Sequence, residues 1–286
     1  MPKSRNVPAV IARYSLLITL AFVFALPLLF MLVSSFKPYG QLLRDTASFR
    51  AILPVGALNF ENYRELFAFI PVGRFLFNSI FVTGVTVGAG LLVNSLAGFA
   101  LARLRWKGRR FVMAVILALI IIPFETVAVP LVLLVNNLPW LSLDGVTVGW
   151  FNSYRVQIVP FMANALAIFL FVQFFKELPK EFFDAARIDG ASWLQVFRWI
   201  VVPLSGPVYS TAAILQLLAM WNQYLWPALV IQTDSYRPIM VGFGYVYGFS
   251  GVSMAYLVIA TLPPLLLFIL FQKNFLKSIG ATHYSA

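Results

Sequence analysis

Residues 176–207 read KELPKEFFDAARIDGASWLQVFRWIVVPLSGP, a polar interlude between long apolar runs. Pro179 suits the first turn of a helix, where its missing N–H is no loss. Glu181 and Asp184 follow, favoured by the positive end of the helix dipole. Gly190 supplies a stop. A helix of roughly ten residues is about 15 Å long and cannot cross a bilayer core of about 30 Å. Phe182, Phe183 and Ala186 form an apolar edge, and Asp184 and Arg187 stand three apart, close enough to pair. Ser192 is placed to cap a second helix that runs to Pro203. With small residues Ala185 and Ala186 near its centre, the first helix fits a groove in another protein. Lying on lipid headgroups is the alternative.

Outward from this stretch the chain is membrane material. Of its 286 residues 61% are hydrophobic and only 11% charged, against about 25% charged in a soluble domain. That excludes an ordinary soluble enzyme, a disordered chain and a coiled coil. Cysteine is absent, so there is no disulfide framework, thiol nucleophile or Cys-based zinc site. Six spans are predicted at 13–35, 76–101, 111–134, 156–175, 206–230 and 252–272, giving an all-α polytopic protein. An even number of crossings puts both termini on one side. Fourteen of the 21 Lys and Arg residues then share that side, five of them between Arg103 and Arg110. Both termini are therefore expected in the cytoplasm. The net charge of +11 is read as this orientation signal rather than as a nucleic-acid footprint; the Arg103–Arg110 run is read as orientation plus anionic lipid contact, with a secondary contact to a cytoplasmic protein partner as the alternative.

The remaining segments follow. Residues 1–12 form a cytoplasmic N-terminus, with Lys3, Arg5 and Arg13 before an uncleaved signal-anchor helix. Segment 36–75 lies outside, and Asn59-Phe60-Glu61-Asn62-Tyr63 starts a short helix in it. Segment 136–155 also lies outside and is rich in turn formers. Residues 76–272 form the core, with 176–207 as its largest cytoplasmic loop, and 273–286 a cytoplasmic tail.

The 176–207 loop resembles a known family. Asp184-Ala185-Ala186, Asp189-Gly190-Ala191, Phe197, Ile200, Pro203 and Pro207 are similar to the EAA loop of permease subunits of bacterial ABC importers, with Asp184 in place of the family's leading Glu. Ser34-Ser35-Phe36-Lys37-Pro38, Asn78-Ser79, the run Ala97 to Arg103, Pro123, Pro130 and the run Trp221 to Pro227 resemble the carbohydrate branch of that family, which includes permeases for glycerol phosphate and its diesters. The resemblance implies the type I importer permease fold and alternating access in a bacterial inner membrane. It implies a second permease subunit, two ATPase subunits and an extracytoplasmic solute-binding protein as partners. Glu181, Asp184, Ala185, Ala186, Arg187, Asp189 and Gly190 are then the coupling contact with the ATPase. The chain has no G-x-x-x-x-G-K-[ST] loop, so ATP and its magnesium belong on the partner and no cofactor is expected on this chain.

Substrate-path candidates come from residues that are costly in lipid. Glu125 is the sole acid inside a predicted span, flanked by the helix breakers Pro123 and Pro130. Trp221, Asn222, Gln223 and Tyr224 combine aromatic faces with amides, which suits a sugar. On one continuous helix 222 and 226 share a face and 221 and 224 another, so all five cannot line one pocket; Trp226 is read either with this group or as an interface-belt aromatic. Asn78, Asn94 and Gln216 read as interhelical hydrogen-bonding residues, and Gly84 with Gly88 as a close-packing pair. His283, alone in the tail, holds no metal and serves as no base. The solute expected is a neutral oligosaccharide, polyol or glycosyl-glycerol. Glycerol 3-phosphate or a glycerophosphodiester is the alternative, and an ion-coupled secondary transporter a weaker one, since it would show inverted repeats and more buried charge.

Overall fold

The computed structural model describes residues 7–142, 145–246, 248 and 250–281; Lys3, Arg5, Asp144 and His283 lie outside them. In chain order the helices are α1 (Val7–Ser34), α2 (Tyr39–Asp45), α3 (Glu61–Phe69), α4 (Val72–Arg103), α5 (Arg109–Ile121), α6 (Phe124–Asn137), α7 (Tyr154–Met162), α8 (Ala165–Glu177), α9 (Lys180–Ile188), α10 (Trp193–Val196), α11 (Val202–Leu204), α12 (Gly206–Trp221), α13 (Leu225–Val230), α14 (Ile239–Gly242) and α15 (Gly251–Ala281). A π-helical stretch, Phe197–Val201, joins α10 to α11. Four apolar stretches are long enough to cross a membrane: Val10–Ser34, Val72–Arg103, Tyr154–Glu177 and Gly251–Ile269. Two bent helix pairs bring the total to as many as six.

Two expectations need correction, and a third segment carries structure the sequence reading did not specify. The predicted span 111–134 is two helices, α5 and α6, set at 109°. Pro123 forces Ile122 into extended backbone and cannot donate to the preceding turn; Ile122 has ψ 119°. Pro130, by contrast, sits inside α6 without ending it. The predicted span 206–230 ends at Trp221 and restarts at Leu225. Pro227 is the cause, because in a continuous helix its ring would strike the carbonyl of Gln223, whereas in the first turn of α13 it is tolerated. Finally, the turn-rich segment 136–155 contains a two-stranded antiparallel hairpin, β1 (Pro139–Ser142) and β2 (Gly145–Val148), with Trp140 opposite Thr147. The expected tail is helical to Ala281, continuous with the last span.

The described residues divide into two compact units. One is drawn from Met1–Gly73 and Gly242–Pro263. In it the segment after α1 is fastened by a buried charge: Lys37 is 0% exposed and its ammonium donates to Asp45 Oδ2 at 2.9 Å and to the Arg50 carbonyl. Hydrogen bonding from Lys37 is the main reason the Asp45 carboxyl lies below its ordinary value. The Asn62 amide donates to the carbonyls of Ser35 and Lys37, each at 2.9 Å, tying α3 to the end of α1. Asn59 Oδ1 accepts from the Glu61 amide at the start of that helix.

The other unit comes from Arg74–Val241 and Pro264–Ala286. Its largest core cluster joins Phe99 and Ala102 of α4, Phe171 and Phe175 of α8, Phe183 of α9 and Val208 and Ala212 of α12. Close packing comes from Gly98, where a Cβ would lie 2.5 Å from Phe171 Cβ. The expected pair Gly84 and Gly88 faces open space instead.

Candidate functional site: a pinned surface helix and a cluster of helix breaks

Helix α9 is held by local chemistry at both ends. Pro179 stands just outside its first turn as the N-cap. At the other end Gly190 has φ +81°, and two hydrogen bonds close the helix: Ala191 N–H to the Ala186 carbonyl at 2.9 Å and Gly190 N–H to the Arg187 carbonyl at 3.1 Å. That pairing is a Schellman stop, and the left-handed residue in it is where glycine costs least. Ser192 then caps α10, as the sequence led us to expect, and Gln195 completes a reciprocal box with it that the sequence reading did not include.

Phe183 anchors the helix in the core. The Arg103 guanidinium lies 4.1 Å from the Phe183 ring centroid and donates to the Leu178 carbonyl, so the last residue of α4 clamps α9 from one side. Arg187 does not pair with Asp184; it stacks over Trp193 at 5.1 Å and donates to the Ala191 carbonyl at 3.2 Å. Helical spacing leaves two faces. Lys180, Phe183, Asp184 and Arg187 line a cavity of about 760 Å³, together with Arg103, Arg105 and Arg109. Glu181, Phe182, Ala185 and Ile188 are exposed, Ile188 by 87%, and do not line that cavity. Ala186 is half-buried, and Asp189 and Gly190 are exposed in the turn.

The second group lies where spans are interrupted. Breaks occur at Ile122–Pro123, at Ala163–Asn164 and at Asn222–Tyr224. The flanking aromatics meet: Phe124 lies 6.1 Å from Trp226 and 5.6 Å from Phe161, and Phe161 lies 5.8 Å from Trp226. Trp226 is not an interface aromatic. It is 0% exposed and donates to the Val156 carbonyl at 2.8 Å. Backbone groups freed by breaks need partners away from water, and buried amides supply them. Asn94 Oδ1 accepts from the Asn164 N–H at 2.9 Å, while Gln216 donates to the Phe161 carbonyl at 3.1 Å. Asn78 donates to the carbonyls of Ser235 and Arg237 and accepts from the Tyr154 hydroxyl.

Among the path candidates, Trp221 is buried, Gln223 half-buried, and Asn222 and Tyr224 exposed, all at the third break. Asn222 also donates to the Leu218 carbonyl at 2.9 Å as the C-cap of α12. Glu125 is exposed in the first turn of α6, beside Phe124. Because α12 stops at Trp221, the helical faces expected for 221–226 do not exist. Sequence reasoning missed Arg103 as the clamp and the Phe124–Phe161–Trp226 meeting point; proline and aromatic spacing near each break was the available signal.

Residues 94–280 match the family described as binding-protein-dependent transport system inner membrane component. The chain belongs to that family. It is 33% identical over 267 residues to the arabinooligosaccharides transport system permease protein of Halalkalibacterium halodurans, covering 91% of each chain. It is 31% identical over 279 residues to the lactose transport system permease protein of Rhizobium radiobacter, covering 96% of each, and 29% identical to the sn-glycerol-3-phosphate transport system permease protein of Brucella suis, covering 99% of each. Its fold matches a chain of a bacterial ABC transporter involved in the import of the acidic polysaccharide alginate, with TM-score 0.77 and 20% identity over 96% of this chain and 99% of that one. The type I importer permease fold is therefore this inner-membrane component's architecture.

Proposed function

We propose that this permease subunit moves a neutral sugar or sugar-like solute, handed over by an extracytoplasmic binding protein, through alternating access driven by a separate ATPase. The observation that carries the reading is α9: a nine-residue helix, too short to span, clamped to the end of one spanning helix while presenting an open face. Both termini and α9 lie in the cytoplasm. ATP closes the paired ATPase subunits; Glu181 and Ala185 take the push together with Asp184, which is exposed although it also lines the cavity, and Phe183 with Arg103 passes it to α4 and α8. A second, similar permease completes the pore. Rigid-body rocking of packed helices then exchanges access at the interrupted spans. The residues Asn222, Gln223 and Tyr224 meet the solute, since amides and an exposed ring match hydroxyls and C–H faces. Trp221 backs them from the core, and Glu125 borders the path.

The test uses the assembled transporter in proteoliposomes. Replacing Glu181 and Asp184 by Ala is expected to lower solute-stimulated ATP hydrolysis at least about tenfold, as removal of interface hot spots does. Unchanged stimulation overturns the coupling role. Asn222→Leu with Gln223→Leu is expected to abolish uptake in a well-expressed subunit, and normal uptake removes both from the path. A second reading, glycerol 3-phosphate, is favoured by the Brucella suis relative's 99% coverage; competition of labelled solutes for uptake separates it from the first.

A further inference from the structure

The cavity behind α9 is chemically lopsided. Its lining carries five cations, Arg103, Arg105, Arg109, Lys180 and Arg187, against one carboxylate, Asp184. Among the described residues the ion pairs are Lys37–Asp45, Arg50–Asp45 and Arg237–Asp234, so no cation in the cavity is neutralised by the protein. Arg103, Arg109 and Arg187 spend donors on main-chain carbonyls. Arg105 and Lys180 are exposed and have no such partner among the described residues. Two indoles, Trp106 and Trp193, complete the wall.

Position narrows the ligand. Arg103 is the last residue of α4 and Arg109 the first of α5. The cavity therefore sits at the ends of two apolar helices; on the cytoplasmic orientation proposed above, on which this inference rests, that end meets the headgroup layer flanking the hydrocarbon core. Indoles favour that depth, basic pockets between spanning helices on the cytoplasmic side bind acidic headgroups, and guanidinium groups bind phosphate oxygens with paired N–H donors. The α9 face opposite the cavity carries Ala185 and Ile188 and remains available to a protein partner. We propose that this cavity binds the phosphodiester headgroup of an anionic phospholipid, so that one lipid bridges the α4–α5 connection and the α9 helix.

The experiment measures retention of phosphatidylglycerol by the full transporter through detergent washing, by native mass spectrometry. Wild type is expected to keep the lipid while releasing phosphatidylcholine. Arg105→Gln with Lys180→Gln, which removes the two unpartnered cations, is expected to weaken retention about 30-fold. Lys107→Gln, a neighbouring exposed cation outside the cavity, is expected to behave as wild type. Equal loss in Lys107→Gln overturns the site in favour of bulk charge. Displacement of the lipid by millimolar inorganic phosphate identifies a soluble phosphate site and overturns the lipid assignment. Unchanged lipid retention in the double variant with loss of the ATPase subunit assigns the cavity to protein docking and overturns the proposal as well.

Discussion

The segment after α1 and the corner around α9 solve the same problem in opposite ways. Each is a short polar stretch that must be held rigid beside spanning helices. Near α1 the fastener is charge: Lys37 is fully buried against Asp45, with Arg50 contributing from 3.7 Å. Around α9 the fastener is apolar, Phe183 in an aromatic core, and the charges stay unneutralised. The difference teaches which region is closed and which is built to meet something else. The cluster near α1 matches its buried ammonium with a carboxylate and sums to only +1, whereas the cavity beside α9 sets five cations against one carboxylate with no ion pair among the described residues and keeps a positive field to offer a partner.

Four substitutions or conditions test the contrast, taken from the largest effect down. Phe183→Ala removes a buried ring at the anchor and is expected to cost about 3–5 kcal/mol, read as a lowered unfolding midpoint of the detergent-solubilised chain; a change near zero would mean α9 is not held by its core contact. Asp45→Asn leaves the Lys37 ammonium buried without its counter-charge and is expected to lower the melting temperature by about 5 °C, an effect insensitive to added salt because the pair is shielded from solvent. Gly190→Ala puts a Cβ in the left-handed region and is expected to cost about 1 kcal/mol, detectable as faster proteolysis in the 176–207 loop. The smallest effect is acidification. The Asp45 carboxyl sits below its ordinary value, so its extra stability is complete above about pH 4 and fades as pH falls through the lowered value. Asp45→Asn should flatten that limb of the stability curve.

Apolar run length was enough to find the four helices long enough to span and the two bent pairs, because a bilayer admits few alternatives. The break at Pro123 was visible for the same kind of local reason. The break at 222–224 was not, since Pro227 acts four residues upstream through a carbonyl clash, and a reader of periodicity alone continues the helix. Gly84 and Gly88 have the spacing of a packing pair, but among the described residues nothing lies within contact of a Cβ placed there; Gly98 packs closely because Phe171 faces it. Nor does the sequence distinguish Arg103 from the other four basic residues of its run. Its role depends on Phe183, eighty residues on, being brought beneath it. In α9 the dipole-favoured acids and the glycine stop, and after it the Ser192 cap of α10, were legible because every partner is within five residues; the reciprocal bond from Gln195 was not read.

The bare backbone at Gly98 has a mechanical corollary. With Phe171 pressed into the space where a side chain would stand, α4 and α8 cannot slide past one another without collision. Only two residues separate α8 from α9. On the coupling role proposed above, a displacement of the short helix is expected to carry α8 and α4 together, as a crowbar moves with its blade, and a bulkier residue at 98 to bend the tool before it moved the load.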